Sequence, residues 1–129
     1  MQSQTPTPAA GMTLDIKKHR FRISSKTFQL IETPEYFRLL VNPLSKGMVI
    51  EECSEHTKGA YQLSKVPQHR GCFEMTSKSL MNEIMLCAGI TTTNTIRLEG
   101  RRIRGQNALF FHIIQTPACA SDSNFEKEE

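Results

Sequence analysis

FEMTSKSL, residues 73–80, nearly repeats FRISSKTF, residues 21–28, at a constant offset of 52 residues. Phe21/Phe73, Ser25/Ser77 and Lys26/Lys78 are identical across the two stretches. Ile23/Met75, Ser24/Thr76, Thr27/Ser79 and Phe28/Leu80 differ only within a chemical class. An ungapped echo of this kind marks an internal duplication, in which each copy is one small supersecondary unit. Both copies open on alternating apolar residues and then supply serines able to cap a helix. Each stretch therefore reads as a strand running into a helix.

Around the first copy, TLDIKKHRFRIS alternates at Leu14 and Ile16, breaks at the basic KKHR, and alternates again at Phe21 and Ile23. This predicts strand, short turn, strand. A helix begins at Ser24 or Ser25 and ends near Thr33, because Pro34 disfavours helix in the residue before it. YFRLLVNPLSKGMVIEEC then gives strands over 36–41 and 48–53, joined by Asn42, Pro43, Ser45 and Gly47. Around the second copy the plan recurs: a strand over 60–65, the loop VPQHRG, a strand over 72–75 and a helix over 76–88. Leu80, Ile84, Cys87 and Ala88 share one face of that helix, and Gly89 falls where a C-terminal cap belongs. NTIRLEGRRIRGQNALFFHII supplies a closing pair of strands, from about Asn94 and about Ala108, with Gly100 and Gly105 marking a bulge or turn between them.

The expected fold class is α+β: a duplicated β-β-α-β-β unit forming one compact domain with a mainly antiparallel sheet and two helices. With 129 residues the halves must share one core, since a unit of about 40–60 residues buries too little surface alone. The single domain is expected over 12–116, with units at 12–53 and 60–116. Residues 1–11, MQSQTPTPAAG, carry no charge and no apolar periodicity, and residues 117–129 are an acidic tail. Both ends are expected to be disordered.

The net charge of +3 is unevenly spread: SDSNFEKEE contributes −3, which leaves a body of +6. A moderately basic body with an acidic tail suits a nucleic-acid partner without requiring one. Lys17, Lys18, Arg20 and Arg22 crowd the first loop, with Arg70 in the equivalent loop and Arg101, Arg102 and Arg104 in the closing hairpin. Cys53, Cys72, Cys87 and Cys119 form no C-x-x-C pair and are expected to be free thiols, with Cys87 in the core. His19, His56, His69 and His112 are scattered without metal-ligand spacing. No Gly-rich phosphate loop or G-x-S-x-G is present, so the expectation is no enzyme, no metal and no cofactor. No apolar run approaches the roughly 18 residues of a membrane span and no leader pattern opens the chain. A cytoplasmic location without membrane contact is expected.

The strand-to-helix junction and the helix-to-hairpin spacing in FEMTSKSLMNEIMLCAGITTTNTIRLEG, and less closely in FRISSKTFQLIETPEYFRLLVN, resemble the AbrB-type swapped-hairpin family. Two such units in one chain are similar to the MraZ-type tandem members, whose halves form an intramolecular counterpart of the family's dimer. This resemblance implies a DNA-binding transcriptional regulator of prokaryotic or mobile-element type. Its duplex-contacting residues would be Lys17, Lys18, Arg20, Arg22, Arg70, Arg101, Arg102 and Arg104, with the two basic loops together on one edge of the sheet. The duplicated plan also resembles one domain of a DNA sliding clamp, a replication accessory that would have to oligomerise. A third reading is a small module or inhibitor of phage or mobile-element type that binds another protein.

Overall fold

A computed structural model describes residues 10–113. The elements in chain order are strands β1 (Ala10–Asp15) and β2 (Arg20–Ser24), helix α1 (Ser25–Gln29), and strands β3 (Tyr36–Asn42), β4 (Gly47–Glu52) and β5 (Tyr61–Gln62). There follow a 3-10 turn (Leu63–Lys65), strands β6 (Gln68–His69) and β7 (Cys72–Thr76), helix α2 (Lys78–Ala88), and strands β8 (Ile96–Arg102) and β9 (Ala108–His112). All nine strands join one antiparallel sheet in the order β5-β3-β4-β9-β8-β1-β2-β7-β6. The mainly antiparallel α+β class read from the sequence is the one observed.

The sheet curls, because its two outermost strands, β5 and β6, are neighbours in the chain. Leu63 N–H donates to Glu35 O (3.0 Å), continuing the pairing on β3, and Glu74 N–H donates to Pro67 O (2.8 Å), continuing that on β7. The Leu63–Lys65 turn bridges the two edges. A strand over 60–65 was expected here, and only Tyr61 and Gln62 are extended. Leu63 and Val66 are both buried. Their i, i+3 spacing faces one way on a 3-10 turn and opposite ways on a strand, so burial of both selects the turn.

Alternation puts Met12, Leu14, Phe21, Ile23, Phe37, Ile50, Leu98, Leu109 and Phe111 inside the curl, each 4% exposed or less. At roughly 1.5–3 kcal/mol for each side chain of this size, their burial is the main drive to fold. Gly100, expected to mark a bulge or turn, lies within β8 beneath Phe111. A Cβ there would come within 2.6 Å of that ring, so the missing side chain makes room for it. Gly105 does lie in the turn, at φ 77°.

Each helix covers one end of the curl, and the two ends are opposite. β2 and β7 are antiparallel, so α1, leaving β2, and α2, leaving β7, start from opposite ends of their shared ladder. Ser24 and Ser77 cap them: Ser24 Oγ accepts from Thr27 N and Ser77 Oγ from Leu80 N, each at 3.2 Å. α1 stops at Gln29, short of the expected end near Thr33. Thr33 N–H turns back to Phe28 O (2.9 Å), with Glu32 and Thr33 at φ 62° and 44°. This tight closure buries Ile31 without another helical turn. Gly89 ends α2 in the left-handed conformation (φ 68°, ψ 32°), as its position after the apolar face implies. The expected apolar face of α2 is displaced: Met81 and Ile84 are buried, while Leu80, Cys87 and Ala88 are half-buried.

β1 begins at Ala10 rather than at Met12, since Ala10 and Gly11 pair with Gly100 and Glu99. Thr27, the buried polar side chain of α1, ties the helix to this strand. Its Oγ1 accepts from Gly11 N (2.9 Å) and donates to Gly11 O (3.1 Å). The rest of the expected disordered N-terminal segment, and the acidic tail with Cys119, lie outside the described residues.

Candidate nucleic-acid interface

Burial of Phe21, Ile23, Phe73 and Met75 forces Arg20, Arg22, Cys72, Glu74 and Thr76 onto the outer surface of β2 and β7. The same alternation turns Thr13 and Asp15 of β1 and Arg97, Glu99 and Arg101 of β8 outward. Pairing registers then set Arg97 beside Thr13, Thr13 beside Arg22 and Arg22 beside Glu74 in one row across four strands. In the adjoining row Arg20 lies between Asp15 and Thr76.

Glu74 serves both arginines of β2. Its Oε2 is 3.1 Å from Arg22 Nε and its Oε1 is 3.9 Å from Arg20 Nη1. The Arg22 Nε–H is nonetheless buried without a hydrogen bond, because the carboxylate lies off its donor axis. The Arg22 side chain as a whole is 42% exposed, so it is only partly open to solvent. Ion pairs this exposed contribute at most about 1 kcal/mol to stability.

The basic loops do not share an edge. His19 O accepts from Ser77 N and Gly71 O from Ser25 N, each at 3.0 Å, which pins the two turns to opposite ends of the β2–β7 ladder. Six residues separate those levels, about 20 Å at roughly 3.3 Å per residue. Antiparallel pairing of two similar strands necessarily sends their preceding turns apart. Lys17 and Lys18 are exposed in the first turn, which His19 closes at φ 54°. Arg70 and Gly71, at φ 54° and 79°, form the second, with the two positive angles of a type I′ hairpin. Arg22 meets Arg70 here: both line a shallow cavity of about 190 Å3 with His69, Cys72 and Glu74.

The closing hairpin divides its arginines. Arg101 is outward on β8 opposite Phe110, and Arg104 is exposed in the turn. Arg102 is occupied internally: Nε donates to Gln106 O (3.0 Å) and Nη1 to Leu30 O (3.1 Å). With Asn107 Nδ2 donating to Ile31 O (2.9 Å), it satisfies carbonyls just beyond α1. Of the residues expected to contact DNA, Arg102 is therefore held by backbone carbonyls, while Arg20 and Arg22 are paired with Glu74. Arg97 was missed. Its outward direction is readable from the alternation Ile96-Arg97-Leu98, but the pairing of β8 with β1 that sets it beside Arg22 has no local signal.

Among the described residues no group of His, Cys, Asp or Glu side chains converges to hold a metal ion. No helix among them is long and apolar enough to cross a membrane. Cys53, Cys72 and Cys87 are free and half-buried, so Cys87 is not the fully buried core thiol expected. Comparison with protein-family models, with curated proteins and with solved structures gave no match.

Proposed function

We propose that the chain is a non-enzymatic, cytoplasmic DNA-binding protein of transcription-regulator type, of prokaryotic or mobile-element origin, and that it arose by duplication of a β-β-α-β-β unit. The carrying observation is the outward row of Arg97 and Arg22, with Arg20 beside it, flanked by Lys17 and Lys18 at one end and Arg70 at the other. Guanidinium and ammonium groups spread along a convex surface meet phosphates and fix a protein on a duplex, while Arg22 or Arg97 is placed to reach a base edge.

The duplication is supported by pairing register. Phe21 faces Met75 and Ile23 faces Phe73, so each residue meets its neighbour's repeat counterpart, while Arg22 faces its own counterpart, Glu74. A twofold relation between units demands that pattern. The end of α1 also meets the β8–β9 hairpin, and Cys87 at the end of α2 approaches Asn42 at the β3–β4 turn. Each helix thereby contacts the other unit's hairpin, in the manner of a swapped-hairpin fold. The sliding-clamp alternative requires both helices on one surface to line a hole, and here they cover opposite ends.

Fluorescence polarisation of a labelled duplex across a salt series tests the DNA reading. With about five phosphate contacts, log K should fall against log salt with a slope near −4 to −5, and Arg97→Ala should make it shallower by about 1. A folded protein that leaves every duplex unbound at low salt would sink the proposal. Arg102→Ala should weaken the fold more than it weakens binding.

A further inference from the structure

Strand β3 is only partly covered on one side. β4 pairs with it from Phe37 to Asn42, whereas β5 meets only Tyr36 and Phe37. Two bonds fix the direction of its backbone groups: Cys53 N–H to Tyr36 O and Leu63 N–H to Glu35 O, both 3.0 Å. Alternation in an antiparallel ladder then turns residues 36, 38, 40 and 42 toward β4 and residues 35 and 37 toward β5. The N–H and C=O groups of Leu39 and Val41 point past the end of β5, where no hydrogen-bond partner meets them among the described residues.

Among the described residues, the large apolar side chains left in solvent lie at the same place. Leu44, 97% exposed, lies in the turn just beyond β3, and Leu86, 84% exposed, precedes Cys87, whose Sγ is 3.9 Å from Asn42 O. On the outer surface behind the edge, Leu40, Val49 and Phe110 form one apolar cross-strand row. Such a row contrasts with the charged one on β8, β1, β2 and β7.

We infer that this edge docks a second copy of the chain, β3 against β3, antiparallel about a twofold axis at Leu40. The side chains along the edge favour a second copy as the occupant. Leu39 set opposite Val41 of the second copy, and the reverse, closes four hydrogen bonds and satisfies every free N–H and C=O of both edges. Leu40 then meets Leu40 of the second copy in a close, non-hydrogen-bonded pair. Arg38 faces the neutral Asn42, so no like charges oppose one another. The row Phe110, Val49, Leu40 continues into its own copy, and Leu44 and Leu86 gain apolar surroundings. The interface is independent of the DNA-binding surface, which lies across the curl.

Light scattering of the intact chain over a dilution series reads the outcome. The expected mass is twice the 14.6 kDa of one chain. Leu40→Glu and Leu40→Lys, each alone, set two like charges on the axis and should run at the single mass, while their equimolar mixture should recover the doubled mass. A wild-type protein at the single mass overturns the inference, as does a doubled mass retained by Leu40→Glu or a mixture that stays single. Should the Leu40 variants fail to fold, Leu44→Ser combined with Leu86→Ser decides the matter, since both side chains are already in solvent. That pair must shift dissociation to higher concentration, and an unchanged dilution curve refutes the interface.

Discussion

Phe28→Ala tests whether the two halves share one core. Phe28 is fully buried, with its ring edge-on to Phe37 at 4.8 Å and 61° and to Phe73 at 5.1 Å and 82°. It therefore joins a strand of the first half to the repeat strand of the second. Truncating a buried Phe to Ala costs about 3–5 kcal/mol. Each edge-on aromatic pair contributes about 0.5–1.5 kcal/mol beyond burial, so the loss should lie in the upper part of that range, about 4–5 kcal/mol. A domain of this size holds roughly 5–15 kcal/mol in total, so at least a quarter of the stability would go. Urea unfolding followed by circular dichroism is the assay. With a slope of about 1–2 kcal/mol/M, the midpoint should fall by roughly 2–5 M at unchanged slope, and both helices and strands should melt together. Phe28→Leu keeps most of the volume and should cost about 1–1.5 kcal/mol. A loss below about 2 kcal/mol for the alanine variant, or separate transitions for the two halves, would refute the shared-core reasoning.

Gly100→Ala should destabilise by about 1–3 kcal/mol in the same titration, because its Cβ would lie 2.6 Å from Phe111 Cδ2 and 2.7 Å from the immovable Phe110 O. Gly11→Ala, where a Cβ meets nothing within 4 Å, should change stability by less than about 1 kcal/mol and serves as the control. Partial burial, then the carboxylates of Glu55 and Glu35, push the Tyr36 hydroxyl above its ordinary value of 10.0. The folded chain then holds a proton that the unfolded chain releases, so stability present below pH 10 is lost as pH rises through the raised value. Alkaline unfolding curves for Tyr36→Phe should show a shallower decline than wild type, and identical curves would exclude this contribution.

Local signals were legible in the sequence wherever one element carries its own pattern. Period-2 alternation located β2, β3, β4 and β7 to within a residue or two, a serine before an apolar run located the start of α1, and the start of α2, expected near Thr76, falls at Lys78. What failed was each feature decided by a distant partner. Ala10 and Gly11 look featureless and become strand because β8 offers them a ladder. Leu63–Lys65 looks extended and becomes a 3-10 turn because two sheet edges must be bridged. The site was legible as a list of basic residues and illegible as an arrangement. That Arg22 shares a cavity with Arg70, that Lys17 and Lys18 lie about 20 Å from the second turn, and that Arg102 is spent on Leu30 O all follow from strand order, for which no single stretch codes.

The Arg22–Glu74 pair links the proposed origin of the chain to its proposed activity. In two separate identical units paired about a twofold axis, the residue on the axis of the β2–β7 ladder would face itself. A charged residue there would repel its own copy, since like charges directly opposite in a sheet are destabilising. Fusion into one chain removes that constraint, because the two positions can then diverge, and here they carry opposite charges 3.1 Å apart. The exchange has a cost for anion binding. Glu74 sits beneath Arg20 and Arg22 and cancels one of their two positive charges, so the centre of the surface is weaker than its ends. Phosphate contact would therefore rest most on Lys17, Lys18 and Arg70, the cations at the ends of the ladder that make no ion pair with Glu74, although Arg70 lines the same cavity as that carboxylate. The proposed duplication would thus account both for the opposite charges paired at the centre of the ladder and for the displacement of the strongest positive potential to its two turns.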